Sequence, residues 1–185
     1  MKEDKQRWNE KYLTCPMPRE AAEILKENIH LAKKGRALDI ACGMGRNTHF
    51  MADKGFEVDA VDLSDYALSK VRDAANIHKI DTDLDTYVFE EDAYDLIVKT
   101  NYLDRKMFPR IIKALKKGGI FIYETFVKTP TGEGYHNPTN PDFHLDLDEV
   151  PKAFSELEII SYVEKDTINL RDEKVRIASF VGRKI

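Results

Sequence analysis

The feature that most constrains the fold is an alternation, along the chain, of short apolar runs with segments of helical periodicity. The apolar runs are predicted to be strands and cover residues 37–41, 56–64, 77–82, 94–100, 118–126, 157–165 and 174–184. Helices are predicted over residues 3–12, 18–34, a segment ending near 54, 66–75, 106–116 and 147–154. Strands that alternate with helices are typical of βαβ units, which form a parallel sheet with helices on both faces.

The last two apolar runs break this alternation. Residues 157–165 and 174–184 are separated only by a turn, whereas a parallel connection needs a crossover of a dozen or more residues. We therefore expect the last strand to be antiparallel to its neighbours. The pattern as a whole predicts an α/β three-layer sandwich with a mostly parallel seven-stranded sheet.

The length and the distribution of loop residues indicate how the chain is divided. A chain of 185 residues has the length of one domain, so we expect a single domain over residues 1–185. Within it, residues 1–34 are predicted to form an N-terminal helical cap. Residues 127–146 are predicted to be a loop on the substrate side, because this region is rich in Pro, Gly, Thr and Asn.

The composition excludes several classes of protein. Hydrophobic residues make up 42% and charged residues 34% of the chain, and neither a membrane-length apolar run nor a secretion signal is present, so a cytoplasmic protein without a membrane partner is expected. The two cysteines, Cys15 and Cys42, suggest neither a disulfide framework nor a metal site. A net charge of -4 without a basic block argues against a nucleic-acid partner.

The stretch ALDIACGMGRNT, residues 37–48, is predicted to be a turn between a strand and a helix. Gly43 and Gly45 allow the backbone to approach a ligand closely, and the amide groups at a helix start favour an anionic or polar group. A tight turn without any ligand remains an alternative on the glycine pair alone.

Asp62 follows Gly43 by nineteen residues, at the end of the second predicted strand. A carboxylate there can accept hydrogen bonds from both hydroxyls of a ribose, although a plain surface acid is the alternative. The glycine turn and this acid also fit a nicotinamide-dinucleotide unit. Against that interpretation stand Thr48, where such units have Gly or Ala, the lack of length for a separate substrate domain, and the antiparallel last strand.

Four segments carry a resemblance to a known family: LDIACGMGRN, VDLS, the TDL of residues 82–84, and KKGGIFIYE. Together they resemble class I S-adenosylmethionine-dependent methyltransferases, of a small bacterial type similar to the tellurite-resistance methyltransferases. The similarity extends from Trp8 to the last strand and implies a Rossmann-like fold. It implies S-adenosyl-L-methionine as cofactor and S-adenosyl-L-homocysteine as product.

The resemblance also implies roles for individual residues. The turn under the methionine part of the cofactor matches Asp39, Ala41, Gly43 and Gly45, with Ala41 standing where many members have glycine. The ribose-binding motif matches Asp62 and Leu63. Adenine would be read by the Asp83 carboxylate at its exocyclic amine and by the Leu84 amide at a ring nitrogen.

The acceptor side offers several candidates. A sulfonium methyl group is already activated, so catalysis needs a nucleophile held close and water excluded rather than a catalytic triad. Asn101 is predicted to line the methyl-transfer centre. Four side chains are the catalytic candidates, with Tyr135 and His144 as further possible bases: Tyr102, Arg105, Glu124 and His136.

Each acceptor-side candidate has a plain alternative. Arg105 either clamps an anionic acceptor or pairs with Asp104 or another acid, and His136 is either a base or a solvated loop residue. The segment 99–108 differs from its counterpart in tellurite-resistance methyltransferases, so an oxyanion acceptor is not implied. Trp8 and Tyr12 form an aromatic face that either closes over the cofactor or staples the first helix to the core.

The prediction is thus methyl transfer from S-adenosylmethionine to a small-molecule acceptor by in-line displacement. The first alternative is a protein that senses S-adenosylmethionine without turnover. A nicotinamide-dependent oxidoreductase is a weaker third possibility, since the glycine turn and Asp62 are shared with that class. The sequence leaves the acceptor and the choice between monomer and dimer open.

Overall fold

A computed structural model describes residues 2–15, 17–130, 133–137 and 140–185. Its helices are α1 (Lys2–Thr14), α2 (Glu23–Asn28), α3 (Arg46–Asp53), α4 (Asp65–Leu68), α5 (Phe108–Ala114) and α6 (Glu149–Ala153). Its strands are β1 (Arg36–Ile40), β2 (Glu57–Asp62), β3 (Ile77–Asp81), β4 (Tyr94–Thr100), β5 (Leu115–Phe126), β6 (Leu157–Ile168) and β7 (Lys174–Lys184).

The seven strands form one sheet in the order β3-β2-β1-β4-β5-β7-β6. Neighbouring strands from β3 to β5 are parallel, and β7 inserts antiparallel between β5 and β6. The predicted fold class is therefore confirmed, including the antiparallel last strand. The strand order reverses at β1, which has β2 on one side and β4 on the other, and such a switch point leaves a crevice at the carboxyl ends of the strands.

Both faces of the sheet are buried, which explains why the strands are nearly continuous apolar runs. Alternate side chains of β1 and β4 enter different clusters, with Leu38 and Ile97 on one face and Ala37 and Val98 on the other. The first cluster is rich in aromatic rings, among them Phe108, Phe121, Tyr123, Phe154 and Phe180. The sheet is thus fixed from both sides and gives its carboxyl edge a rigid base.

Two helices are much shorter than their periodicity predicts, and the predicted helix over 106–116 is confined to Phe108–Ala114 because β5 already begins at Leu115. The predicted helix over 66–75 ends after Leu68, where the Ser69 hydroxyl donates to the Tyr66 carbonyl and competes with the helix backbone. The predicted helix over 18–34 begins only at Glu23, because the Ala22 amide donates to the side chain of Asn47 and holds the preceding segment extended. Ser64 caps the start of α4, since its hydroxyl accepts from the Ala67 amide.

The predicted substrate-side loop, residues 127–146, is described except for residues 131–132 and 138–139, which lie outside the described residues. Its middle is attached to the β6–β7 hairpin: the His136 amide donates to the Lys174 carbonyl at 2.8 Å, and the Tyr135 hydroxyl donates to Asp166 at 2.6 Å. In the described ranges, the longest helices are too short or too polar to cross a bilayer.

Candidate functional site

A cavity of about 270 Å³ opens at the carboxyl ends of the strands, at the switch point beside β1. It is lined by Trp8, Lys11, Tyr12, Met17, Pro18, Ala41, Cys42, Gly43, Met44, Arg46, Asn47, Asp62, Leu63, Asp83, Leu84, Thr100, Asn101, Tyr102 and Phe126. The position and the wall residues make this cavity the candidate functional site.

The turn after β1 forms the floor of the cavity. Ala41, Gly43 and Gly45 all have positive φ, of 54°, 55° and 83°, and α3 begins directly after them. A Cβ atom at Gly43 would lie 2.9 Å from the Tyr12 hydroxyl and would displace it, and the positive φ favours glycine independently. Ala41 occupies the left-handed region although it carries a side chain, and it still lines the cavity.

Asp62 connects the turn to the end of β2. Its carboxylate accepts from the backbone amides of Gly43 and Ser64, both at 2.8 Å, and from the Tyr12 hydroxyl at 3.4 Å. Burial raises the pKa of Asp62, while the two amides and the tyrosine oppose this rise. The side chain is thus held in one orientation at the cavity wall.

Asp39 lies behind the turn, fully buried and outside the set of lining residues. It accepts a hydrogen bond of 2.6 Å from the hydroxyl of Thr48 in α3. Burial raises the pKa of Asp39 to about 7, against the lowering effect of the Thr48 hydrogen bond. Asp39 and Gly45 therefore shape the turn, whereas Ala41, Gly43, Asp62 and Leu63 face the cavity.

The loop after β3 supplies the next wall. Asp83 and Leu84 both line the cavity, and Leu84 is buried. The Asp83 side chain accepts from the Asp85 amide at 2.9 Å, and Arg110 of α5 donates to the Leu84 carbonyl at 3.3 Å. This loop is consequently fixed from two directions.

Helix α1 closes the cavity from above. Trp8 and Tyr12 line it with their ring centroids 6.0 Å apart, and α1 has no buried residue that would staple it into the core. The helix is instead held by polar contacts: Asn9 accepts from Ser64 at 2.5 Å and donates to Asp65 at 2.8 Å. These contacts favour the cap over the staple.

The opposite end of the cavity follows β4. Thr100 accepts from the side-chain amide of Asn47 at 3.0 Å, and Asn101 has a φ of 57°, which turns the chain sharply out of the strand. Tyr102 lies on the wall, and burial raises its pKa, so the phenol stays protonated. Tyr102 can therefore donate a hydrogen bond into the cavity but is unsuited to act as a base.

Three other predicted catalytic residues are not among those that line the cavity. Arg105 donates to both carboxylate oxygens of Glu149, at 2.5 and 2.8 Å, which is the ion pair foreseen as the alternative to a clamp. Glu124 accepts from the Ser179 hydroxyl at 2.6 Å. His136 lies 3.3 Å from Glu173, at the β6–β7 hairpin.

The structure also reveals site residues that the sequence analysis missed. Lys11 and Arg46 line the cavity as cations, and Arg46 donates to the Glu20 carbonyl and to Thr100. A signal existed for both: Lys11 is three residues from Trp8 on the same helix, and Arg46 is the first residue of the helix after the glycine turn. In the described part of the chain, metal-ligand side chains form no group of three or more.

The most unusual residue near the site is Lys99, which is fully buried beside Tyr102. Burial lowers the pKa of its ammonium to about 7, with Asp104 opposing and Arg105 adding to this effect. The Tyr123 hydroxyl on the neighbouring strand is also buried, and neither polar group has a hydrogen-bond partner among the described residues. The sequence analysis named neither residue, because both lie inside predicted strands.

The strand order, the glycine turn, the acid at the end of β2 and the acid after β3 are those of the class I S-adenosylmethionine-dependent methyltransferase fold. A family model described as tellurite resistance protein TehB matches residues 1–175, and the chain belongs to this family. Family membership decides between the two cofactors that the glycine turn and Asp62 left open, in favour of S-adenosylmethionine.

Individual relatives agree with this assignment. A putative methyltransferase YqeM of Bacillus subtilis is 29% identical over 146 residues, which are 72% of this chain and 59% of the relative. A probable S-adenosyl-L-methionine-dependent methyltransferase TehB of Haemophilus influenzae is 26% identical over 167 residues, 80% of this chain and 57% of the relative. The chain thus spans less than two thirds of the length of these two relatives.

A solved structure supports the fold. The crystal structure of TehB from Haemophilus influenzae superposes with a TM-score of 0.73 at 18% identity, covering 98% of this chain and 67% of that one. A Haemonchus contortus phosphoethanolamine N-methyltransferase 2 in complex with S-adenosyl-L-methionine gives a TM-score of 0.64 at 16% identity, with 86% and 52% covered.

Proposed function

We propose that the protein transfers a methyl group from S-adenosylmethionine to a small-molecule acceptor by in-line displacement, in the cytoplasm. One observation carries the proposal: a single cavity runs from the acids after β2 and β3 to Thr100, Tyr102 and Phe126 after β4 and β5. The first end suits the cofactor, and the residues that line the second end are available to contact an acceptor. The net charge of -4 supports an acceptor other than nucleic acid.

The residues at the first end fit this cofactor. Asp62 presents a carboxylate suited to ribose hydroxyls, and Asp83 with Leu84 offers an acceptor and a backbone edge for adenine. Lys11 and Arg46 supply positive charge near the glycine turn, which suits the carboxylate of a methionine tail. When bound, the cofactor supplies a methyl group on a positively charged sulfur, which leaves as a neutral thioether once the acceptor has taken the methyl group.

The chain's own residues then have to hold the acceptor in line and exclude water. Trp8 and Tyr12 of the cap cover the cavity, and Phe126 closes it beside β5. Tyr102 keeps its proton because burial raises its pKa, so it orients the acceptor as a donor. No general base is required for an acceptor that is already deprotonated.

Calorimetric titration and a turnover assay test the proposal. We expect S-adenosylmethionine and S-adenosylhomocysteine to bind and NAD to give no heat of binding. Incubation with S-adenosylmethionine and panels of carboxylic acids, amines, thiols and phenols should yield S-adenosylhomocysteine above the acceptor-free rate. Binding of S-adenosylmethionine with no turnover of any of the panel compounds would instead favour a sensor. Binding of NAD, with no binding of S-adenosylmethionine or S-adenosylhomocysteine, would overturn the proposal.

A further inference from the structure

Two fully buried polar groups next to the cavity have no hydrogen-bond partner among the described residues. They are the ammonium of Lys99 and the hydroxyl of Tyr123. The two residues face each other in the register of β4 and β5, and Lys99 directly precedes Thr100 of the cavity wall. Buried polar groups without partners are rare in folded proteins, so two adjacent ones call for a specific explanation.

The aromatic rings around Lys99 explain only part of this arrangement. Its nitrogen lies 4.6 Å from the ring centroid of Tyr123, 5.1 Å from that of Phe108 and 5.5 Å from that of Tyr102. Ring faces attract an ammonium group but provide no strong hydrogen-bond acceptor. The rings also provide no hydrogen-bond acceptor for the Tyr123 hydroxyl.

Tyr102 separates this pair from the cavity. Its ring packs on Lys99 and its side chain lines the cavity wall. The preceding Asn101 lies in the left-handed region at a φ of 57°, so the chain leaves the extended conformation directly before Tyr102. Tyr102 is therefore a half-buried side chain that belongs both to the cavity wall and to the surroundings of Lys99.

The charged side chains near Lys99 make other contacts. Arg105 is paired with Glu149 at 2.5 Å, and the Asp104 carboxylate accepts from the Lys106 amide at 2.9 Å. Asp104 still attracts the Lys99 ammonium electrostatically, but the ammonium forms no hydrogen bond with a carboxylate within the described ranges. An ammonium and a hydroxyl on adjacent strands offer one donor to each oxygen of a carboxylate, and a planar group suits the flat rings around it, whereas a phosphate would need more donors.

We propose that Lys99 and Tyr123 bind a carboxylate group of the methyl acceptor, with Tyr102 as the wall in front of them. The acceptor is thus an organic acid, held by its carboxylate at the β4–β5 edge while another part of it faces the cofactor. This inference rests on the proposed methyl transfer, because that function makes the second end of the cavity an acceptor site.

Matched pairs of acids and amides test the inference. Acetate with acetamide, and benzoate with benzamide, are titrated into protein saturated with S-adenosylhomocysteine, with inorganic phosphate as a further probe. The titrations are run at pH 6, where an ammonium with a pKa of about 7 is mostly protonated. We expect at least one acid to bind about 10-fold or more tightly than its amide, as for a charge-assisted hydrogen bond. Lys99→Met should abolish this preference and Tyr123→Phe should reduce it, whereas Lys117→Met, at an exposed lysine at the other end of β5, should retain it.

Other outcomes would overturn the inference. These are equal binding of acid and amide by the wild type, a preference that survives Lys99→Met, or phosphate binding more tightly than any acid. Lys99→Met should also raise the Tm, because it removes an unpartnered buried charge, and a lower Tm would indicate a structural role instead. Failure to bind S-adenosylhomocysteine would count against the proposed function, while the same titrations without it still report on Lys99.

Discussion

The two ends of the cavity treat their buried polar groups in opposite ways. At the cofactor end, Asp62 accepts hydrogen bonds from two backbone amides at 2.8 Å, and Asp39 accepts one from the Thr48 hydroxyl at 2.6 Å. At the acceptor end, Lys99 and Tyr123 are equally buried but lack partners among the described residues. The difference indicates that the cofactor end is formed in advance, whereas the acceptor end is completed by what binds there.

The largest effect should come from the buried acid at the cofactor end. Burial raises the pKa of Asp39 from 3.8 to about 7, so between these values the folded protein binds more protons than the unfolded chain. The free energy of unfolding should therefore fall as the pH rises from 4 to 7, by about 3 kcal/mol from this group. Asp39→Asn keeps the acceptor for Thr48 but cannot titrate, so it should lack this loss.

Urea unfolding at pH 4.5 and 7.5 measures this prediction. The variant should gain stability relative to the wild type as the pH increases, while Asp73→Asn, at an exposed acid, should follow the wild type at both values. If the difference in the free energy of unfolding between Asp39→Asn and the wild type does not change with pH, the raised pKa of Asp39 is contradicted.

The next largest effect concerns cofactor affinity. Asp62→Ala removes the acceptor for the ribose hydroxyls and leaves the amides of Gly43 and Ser64 without theirs. Loss of hydrogen bonds to a charged group, at about 1.5–3 kcal/mol each, should weaken S-adenosylhomocysteine binding by about 10- to 100-fold or more. Asp73→Ala, at an acid that is 98% exposed and lies outside the cavity wall, is the control, and equal losses in calorimetry would contradict the ribose role of Asp62.

The same contrast explains what the sequence predicted well. The cofactor end follows from local patterns: a glycine turn after an apolar strand, and an acid at the end of the next strand. The antiparallel β7 followed from spacing, since a turn between 165 and 174 leaves no room for a crossover, whereas the strand order was not predicted and came only from the structure. The predicted features depend on neighbours in sequence and on the period of the strands.

The acceptor end depends on contacts between distant segments, which a single sequence does not reveal. Lys99 and Tyr123 become a pair only through the register of β4 with β5. Arg105 meets Glu149 only because α6 packs near the turn before α5, and His136 is drawn to Glu173 by the backbone pairing of residues 135 and 174. Residue type and loop position suggested catalysis at these places, but tertiary pairing determined the outcome.

A smaller effect should appear where the cap meets the cofactor end. The Tyr12 hydroxyl donates to Asp62 at 3.4 Å, a long hydrogen bond directed at the oxygen that also accepts from Gly43. In Tyr12→Phe this competitor for the ribose is removed, so S-adenosylhomocysteine should bind about 2- to 10-fold more tightly, which corresponds to one ordinary hydrogen bond. Tyr66→Phe, which removes the same hydroxyl group from a tyrosine outside the cavity wall, is the control in calorimetry. Weaker binding by Tyr12→Phe would show that the hydroxyl contacts the cofactor directly.

The smallest effect is expected from Arg105, which is already paired with Glu149. Arg105 and Glu149 have side chains 42% and 19% exposed, so solvent screens their attraction and a double-mutant cycle with Arg105→Gln and Glu149→Gln should give a coupling energy of about 1 kcal/mol or less in urea unfolding. The preference for acids over amides should survive both variants, because Lys99 rather than Arg105 carries the free charge. If Arg105→Gln loses the preference for acids over amides, Arg105 binds the anionic acceptor, and the contrast between Arg105 and Lys99 is wrong.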